Sequence, residues 1–116
     1  FYKNGTCLVD TSVVTGNPNK GHGTPKGGVW RLKDKASPFT LVGKKPDGSI
    51  EYEEPVNYWM PFNGNVGMHD ATWRGSFGGT IYLTSGSHGC VNLPLNMAAA
   101  IYEYVSTGFP VVCYYY

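Results

Sequence analysis

The sequence has 116 residues, about the length of one compact domain, and no change of composition divides it, so we predict a single domain over residues 1–116. Hydrophobic residues make up 41% and charged residues 15%, a balance that excludes a disordered chain and a membrane span. The formal net charge is +1 and Lys and Arg form no run, which argues against nucleic acid as a partner.

The amino-terminal part is predicted to hold the first strands. Asn4-Gly5 is typical of a type I′ hairpin turn and predicts a strand on either side. Residues 7–14 alternate weakly between two faces, as a strand would. From Gly16 to Gly28 the chain is dominated by Gly, Pro, Asn and Lys and is predicted to be a long loop.

Two further strands are predicted next, at Val29–Asp34 and Ser37–Gly43. A turn follows at Pro46-Asp47-Gly48, whose residue types suit a tight reversal. Both segments agree with the general composition, since 15% aromatic residues and 16 glycines favour short strands joined by tight turns.

Another hairpin is predicted from Val56–Phe62, an Asn63-Gly64 turn and the segment that ends at His69. Pro61 lacks a backbone N–H, so the first arm should be an edge strand or an irregular one. The hairpin would deliver His69 to a strand end.

The carboxyl-terminal part contains the one predicted helix, from Pro94 to about Thr107. Its apolar residues recur at spacings of three and four, Pro94 suits the first turn, and Gly108 is placed to end the helix. A last strand starts at Pro110. The predicted fold class is therefore all-β, with one C-terminal α-helix covering the strands.

The number of cysteines is odd, because the chain holds Cys7, Cys90 and Cys113. At least one thiol is therefore free within the chain, and we predict that it is Cys90. Whether Cys7 and Cys113 pair stays open. The chain begins with Phe1, and any signal peptide, anchor or upstream domain is expected to lie outside it.

The segment TSGSHGCVNLP, Thr84–Pro94, sets Cys90 among Gly and Ser residues. Such a cysteine can be a buried apolar residue, a metal ligand or a nucleophile. Gly89 would let the backbone turn so that the N–H groups of Gly89 and Cys90 converge as an oxyanion hole. A helix beginning at Pro94 would also favour an anion close by. A buried apolar cysteine is more often flanked by apolar strand residues, as Cys113 is, and the pattern around Cys90 favours a nucleophile.

A cysteine nucleophile needs a base that a third group holds in place. The segment GMHDATW offers His69 with Asp70 beside it. Adjacent residues of a strand point to opposite faces, so either the Asp70 carboxylate or a backbone carbonyl would orient the imidazole.

Zinc binding is the alternative, because His69, Asp70, His88 and Cys90 are all ligand types. The sequence has no C-x-x-C or H-E-x-x-H element, and a cysteine bound to zinc would be silenced as a nucleophile. We therefore predict no metal at this site.

Three segments, in chain order, resemble a known family. They are VVTGNPNKGHGTPKGGVWRL, YWMPFNGNVGMHDATW and SGSHGCVNLP, and a helix and a Gly-x-Pro-Val-Val strand follow them. Together they resemble the catalytic domain of the L,D-transpeptidases, also called the YkuD domain, from about Val13 to Val112. The family signature is a histidine, a gap, and Ser/Thr-His-Gly-Cys followed by a hydrophobic residue and Arg or Asn. Here it reads as His69 and the segment from Ser87 to Asn92.

The resemblance implies a mixed, sandwich-like or barrel-like β-fold and roles for particular residues. The implied catalytic residues are Cys90 as nucleophile and His69 as base, with Asp70 and His88 beside them, and Gly89 and Cys90 as the oxyanion hole. The implied substrate-binding residues are Ser87, Asn92, Trp73, Tyr58 and Met60, the last three in a flap over the donor pocket. Thr24–Gly27 also matches a Thr-Pro-x-Gly stretch of the family.

The activity implied by the resemblance is that of a cell-wall enzyme without a cofactor. A peptidoglycan tetrapeptide stem would acylate the cysteine and lose D-Ala, and the side-chain amine of a second stem would then take the acyl group to form a 3-3 cross-link. Carbapenems are the expected covalent inhibitors, and the enzyme is expected to work outside the cytoplasm, in the wall or envelope. Two alternatives stay open: an L,D-carboxypeptidase that uses water as acceptor, and a non-catalytic module that binds the wall.

Overall fold

The computed structural model describes residues 1–21, 23–25, 27–64, 66–87 and 89–113. Within these ranges the chain forms mostly short β-strands, with two α-helices and one 3-10 helix. In chain order the elements are β1 (Tyr2–Lys3), β2 (Thr6–Cys7), the 3-10 helix (Pro18–Lys20), β3 (Gly28–Arg31), β4 (Phe39–Lys44), β5 (Ile50–Val56), β6 (Trp59–Asn63), β7 (Val66–Asp70), α1 (Ile81–Ser85), β8 (Val91–Leu93), α2 (Leu95–Tyr104) and β9 (Pro110–Cys113).

The strands form four small sheets rather than one large one. Three sheets are antiparallel pairs, in which β1 pairs with β2, β3 with β9, and β4 with β5. The fourth sheet has the order β6-β7-β8. No helix in the described ranges is long and apolar enough to cross a membrane.

The three-stranded sheet contains the one parallel pair of strands among the described residues. Strand β7 runs parallel to β8, and His69 lies opposite Asn92 in this pair. A parallel pair needs a long connection, and here it is the segment that contains α1. The pairing sets Asn92 beside His69, and Cys90, which directly precedes β8, lies close to the backbone of Gly67 in β7.

The core lies between this sheet and α2. Ala98 and Ile101 are the buried residues of α2, and they pack with Met60 and Leu93 from the sheet and with Leu32. Burying an Ile, Leu or Met side chain stabilises a fold by about 1.5–3 kcal/mol, so α2 is held mainly by the face that carries Ile101.

The predicted all-β class is confirmed, and so are the late helix and the β6–β7 hairpin. Strand β6 is an edge strand of its sheet, and its register shifts between Pro61 and Asn63, as the missing N–H of proline predicts. Strands β5 and β8 and helix α1 were not predicted.

The expected position of the helix relative to Cys90 was wrong. Strand β8 lies between Cys90 and α2, which begins only at Leu95. A helix dipole acts mainly within its first turn, so α2 is not placed to stabilise a thiolate at Cys90.

Candidate active site

An open cavity of about 300 Å³ is lined by His69 of β7, Asn92 of β8 and Cys90 directly before β8. It brings together Cys90 and His69, which are 21 residues apart in the sequence. Its lining residues are Leu41, Tyr52, Glu54, His69, Trp73, Arg74, Gly86, Ser87, Cys90 and Asn92. Of the predicted substrate-binding residues, it therefore includes Ser87, Asn92 and Trp73.

Cys90 is partly buried and lies directly before β8, beside β7. Burial raises the pKa of its thiol, and a hydrogen bond with the backbone of Gly67 lowers it to a smaller extent. The net shift is upward, so the resting side chain is a neutral thiol at neutral pH. Attack by this sulfur requires a base that takes its proton.

His69 is buried, with 4% of its surface exposed. Its Nδ1 lies 2.8 Å from the backbone carbonyl oxygen of Asp70, which can only accept, so Nδ1 carries a proton. Burial, the largest cause, lowers the pKa of the imidazole, while the Asp70 carbonyl and the charges of Asp70 and Glu54 raise it. The neutral imidazole therefore keeps a lone pair on Nε2, which is the requirement for a base.

The side chain of Asp70 does not take part in this arrangement, which corrects its predicted place in the catalytic group. Its carboxylate accepts hydrogen bonds from the backbone N–H groups of Asn57 (2.9 Å) and Tyr58 (2.8 Å) and from Asn57 Nδ2 (2.9 Å). The reason is the alternation of side chains along β7, which points Asp70 away from the face of His69. The Asp70 carboxylate thus fixes the start of β6, and its carbonyl orients His69.

The loop before Cys90 is held by hydroxyl groups. Ser87 Oγ donates to the Cys90 carbonyl (2.5 Å) and accepts from the Gly89 N–H (3.2 Å), where Gly89 adopts a φ of +123°. From the other side, Thr24 Oγ1 donates to the Gly89 carbonyl (2.6 Å) and accepts from the Gly16 N–H (2.8 Å). Ser87 lines the cavity, but its hydroxyl forms its hydrogen bonds within the loop. The Gly89 N–H also has its partner within the loop, so the oxyanion hole stays a prediction.

Asn92 connects the imidazole to a guanidinium group. With its amide nitrogen toward β7, Asn92 donates to His69 Nε2 (3.1 Å), and its amide oxygen accepts from Arg74 Nε (2.9 Å) and Nη2 (3.2 Å). We assign this orientation because the reverse one would set acceptor against acceptor at His69 and donor against donor at Arg74. Arg74 also donates from Nη1 to the Ser85 carbonyl (2.7 Å).

The wall of the cavity opposite β7 comes from the β4–β5 hairpin, which contributes Leu41, Tyr52 and Glu54. The Tyr52 ring lies directly over Gly43, its cross-strand partner, in space that a Cβ at this position would occupy. Burial raises the pKa of Tyr52, and the negative charge that Cys90 carries when ionised adds to this shift. The hairpin is thus the element that covers the cavity.

Two of the three residues predicted in a flap lie elsewhere. Met60 is fully buried in the core, and the Tyr58 ring packs against Tyr102 of α2 in a tilted arrangement with the ring centres 5.0 Å apart, so the prediction of a flap at these positions was wrong. The reason is that Met60 of β6 and Tyr58, directly before β6, both pack toward the core cluster that includes Ala98 and Ile101 of α2. Trp73 does line the cavity, half exposed, with its ring 5.9 Å from that of His69. His88 lies outside the described residues.

Sequence reasoning missed Tyr52, Glu54 and Arg74. For the first two, a signal was present, since Ile50, Tyr52, Glu54 and Val56 recur with a period of two, as along one face of a strand. Arg74 offered no local signal, because its partners come from α1 and β8.

The fold agrees with that of solved L,D-transpeptidases. A cysteine-to-serine variant of the Enterococcus faecium L,D-transpeptidase is 38% identical, with a TM-score of 0.86 over 97% of this chain and 44% of that one. The catalytic domain from E. faecium L,D-transpeptidase acylated by ertapenem is 39% identical, with a TM-score of 0.83 over 97% of this chain and 85% of that one. An L,D-transpeptidase from Mycobacterium smegmatis is 28% identical, with a TM-score of 0.73 over 93% of this chain and 49% of that one.

The chain spans less than half the length of the first of these proteins. Curated proteins give no significant match to it. The model of the L,D-transpeptidase catalytic domain, YkuD, matches residues 1–113, which include all the described residues that line the cavity. The chain is therefore a member of the YkuD family of L,D-transpeptidase catalytic domains.

Proposed function

We propose that this domain is a peptidoglycan L,D-transpeptidase that forms 3-3 cross-links through a thioester on Cys90. The observation that carries the proposal is the shared cavity of Cys90 and His69, with His69 Nδ1 held by the Asp70 carbonyl. With Nδ1 held in this way, Nε2 is the ring atom that can take the proton of a neutral thiol, and the thiol has to displace the Asn92 amide from Nε2 to deliver it.

In the acylation step, Cys90 Sγ attacks the carbonyl carbon of the third residue of a tetrapeptide stem, in the peptide bond that joins this residue to D-Ala. His69 Nε2 takes the thiol proton, and the imidazolium keeps its Nδ1–H on the Asp70 carbonyl. The C–N bond then breaks, His69 returns the proton to the leaving amine, and D-Ala departs. The acyl group is left as a thioester on Cys90.

In the transfer step, the side-chain amine of a second stem attacks the thioester carbonyl. His69 takes a proton from this amine, an amide bond forms, and the sulfur leaves and is protonated again. Backbone N–H groups of the Gly89–Cys90 segment are the proposed donors to the oxyanion in both steps. The Gly89 N–H donates to Ser87 Oγ in this structure, so it has to exchange this partner for the oxyanion as the oxyanion forms.

The charges around the cavity support a substrate of this kind. The lining includes the carboxylate of Glu54 and the guanidinium of Arg74, and the exposed ring of Trp73. A stem peptide with a diamino acid carries both an amine and carboxylate groups, which these side chains complement. Since peptidoglycan is outside the cytoplasm, we propose the wall or envelope as the place of action.

Acylation of Cys90 by carbapenems belongs to the same proposal. It is supported by the related E. faecium catalytic domain, which has been solved as its ertapenem adduct. The expected product is an intact-mass increase by one ertapenem in the natural chain and none in Cys90→Ala.

The decisive experiment is product analysis by mass spectrometry after incubation with a disaccharide-tetrapeptide. The expected product is a dimer that has lost one D-Ala, absent with Cys90→Ala and retained with Cys113→Ala, which removes a second half-buried thiol outside the cavity. Tripeptide without dimer would identify an L,D-carboxypeptidase instead. Neither product and no ertapenem adduct would contradict a catalytic role and favour a wall-binding module.

A further inference from the structure

The hydrogen bonds around His69 are unequal in what they require of the imidazole. The Asp70 carbonyl needs a proton on Nδ1, which both the neutral ring and the imidazolium can supply. The Asn92 amide N–H, 3.1 Å from Nε2, needs a lone pair there, which only the neutral ring with its proton on Nδ1 can offer. Asn92 therefore discriminates between protonation states, whereas the Asp70 carbonyl does not.

An asparagine amide by itself would not enforce this choice. Rotation by about 180° exchanges its oxygen and nitrogen with little change of shape, and an oxygen toward Nε2 would favour the protonated ring. Arg74 prevents the exchange, because two of its N–H groups meet the amide oxygen at 2.9 and 3.2 Å. After rotation, both would face an N–H₂ group and their hydrogen bonds would be lost.

Arg74 is itself anchored at a third point. Its Nη1 donates to the carbonyl of Ser85, the last residue of α1, at 2.7 Å. Three of its five N–H groups are thus used within the protein, and Asn92 is 2% exposed, so water has little access to the amide. The arrangement is a chain of hydrogen bonds from α1 through Arg74 and Asn92 to the imidazole.

We infer that Arg74 is a positioning residue that, through the Asn92 amide, fixes His69 in the tautomer with a proton on Nδ1 and none on Nε2. The inference rests on the proposed function in so far as His69 is the base. Among the described residues, the other charged or titratable groups near His69 are Glu54 and Tyr52 from β5, Cys90 before β8, and Asp70, which follows His69 on β7 with its carboxylate on the other face. None of these donates to Nε2 from a fixed amide, so the role of Arg74 is separable from theirs by substitution.

The test is a pH titration of the imidazoles by nitrogen NMR, in protein labelled with ¹⁵N-histidine. The chain has three histidines, and His69→Gln identifies the signals of His69. The natural protein is expected to show His69 with Nδ1–H and an unprotonated Nε2. In Arg74→Gln the Asn92 amide is free to rotate. His69 Nε2 is then expected to bind a proton about 2- to 10-fold more tightly, which is the factor that corresponds to the net free energy of one hydrogen bond. The acid limb of kcat/KM is expected to move to higher pH in parallel.

Two further variants separate orientation from charge. Arg74→Lys keeps the positive charge but cannot hold the amide oxygen with two donors, so its titration midpoint is expected to move in the same direction by a smaller amount. Arg31→Gln is the matched control, because Arg31 likewise donates to a backbone carbonyl, that of Gly108, but lies outside the cavity. Its His69 titration is expected to equal that of the natural protein.

The inference is overturned if Arg74→Gln leaves the midpoint unchanged, or if Arg74→Lys matches the natural protein while Arg74→Gln does not, since the effect would then be one of charge alone. If Arg74→Gln fails to fold, Arg74→Lys carries the test, because it keeps the charge and removes the two-donor hold on the amide oxygen. An unchanged midpoint in Arg74→Lys then overturns the inference. The titration needs no substrate. Its result therefore tests the role of Arg74 even if the domain proves not to be a transpeptidase.

Discussion

Asp70 is expected to stabilise the fold through its carboxylate rather than to take part in catalysis by it. The carboxylate is 1% exposed and accepts three hydrogen bonds of 2.8–2.9 Å, two of them from backbone N–H groups. Asp70→Ala would leave both N–H groups without an acceptor, at about 1–3 kcal/mol each. Because Asn57 is exposed and water can reach it, we expect a loss of about 3–4 kcal/mol in the free energy of unfolding.

Asp70→Asn should be much milder, because one oxygen of the carboxylate, Oδ1, accepts both backbone hydrogen bonds. An amide oxygen can take its place, and only the bond to Asn57 Nδ2 becomes a contact between two donors. We expect a loss of about 1–2 kcal/mol, measured by urea denaturation with one slope for all variants. Asn57→Ala, which removes the side-chain bond alone, is the control and should lose less than about 1 kcal/mol.

The assay that tests this reasoning is the rate of acyl transfer in folded Asp70→Asn. We expect a rate within a few-fold of that of the natural protein, because the carbonyl that orients His69 belongs to the backbone and survives the substitution. In a Ser-His-Asp triad the corresponding substitution lowers kcat by about 10⁴-fold. A fall of that size in a folded variant would refute the assignment of Asp70 to the fold alone.

Three further substitutions or measurements test other contacts of the site. Thr24→Val removes the hydroxyl that bonds to Gly89, and a loss of about 1–2 kcal/mol in urea denaturation with slower acylation is expected; unchanged values would show that the loop does not depend on this bond. Since burial raises the pKa of Cys90, its alkylation by iodoacetamide should increase with pH through a midpoint above the usual thiol range, and a maximal rate already at pH 7 would contradict a neutral resting thiol. Gly43→Ala should displace the Tyr52 ring and raise KM more than it changes stability, so an unchanged KM would remove the hairpin from substrate binding.

Local signals in the sequence predicted the parts of the fold that depend on neighbours in the chain. The Asn63-Gly64 turn and the three- and four-residue spacing of α2 are such signals, and both elements were found. Strand β5 was missed because Glu and Pro55 lower its strand propensity, although its alternation was visible. Strand β8 has three residues and exists through its parallel pairing with β7, which nothing local encodes.

The site residues differ in the same way, because local sequence signals predicted some of them and long-range contacts determine the others. Cys90 and His69 could be predicted because each stands in a short segment whose residue types suit its chemistry. Arg74 could not, since its contacts depend on how α1 and β8 meet. The prediction for Met60 failed for a related reason, because the sequence of β6 does not say which of its faces lies under α2.

The loop that carries Cys90 is tied to the amino-terminal part of the chain at several points. Thr24 bonds to Gly89 across 65 residues, and backbone hydrogen bonds join Val14 to Asn92 and Asn17 to Ser87. Contacts of this sequence separation form only when most of the chain has folded. A partly folded molecule therefore has no ordered Cys90 loop, and we expect loss of activity to coincide with global unfolding. In a refolded preparation, titration of Cys90 with an acylating β-lactam would then count native molecules directly.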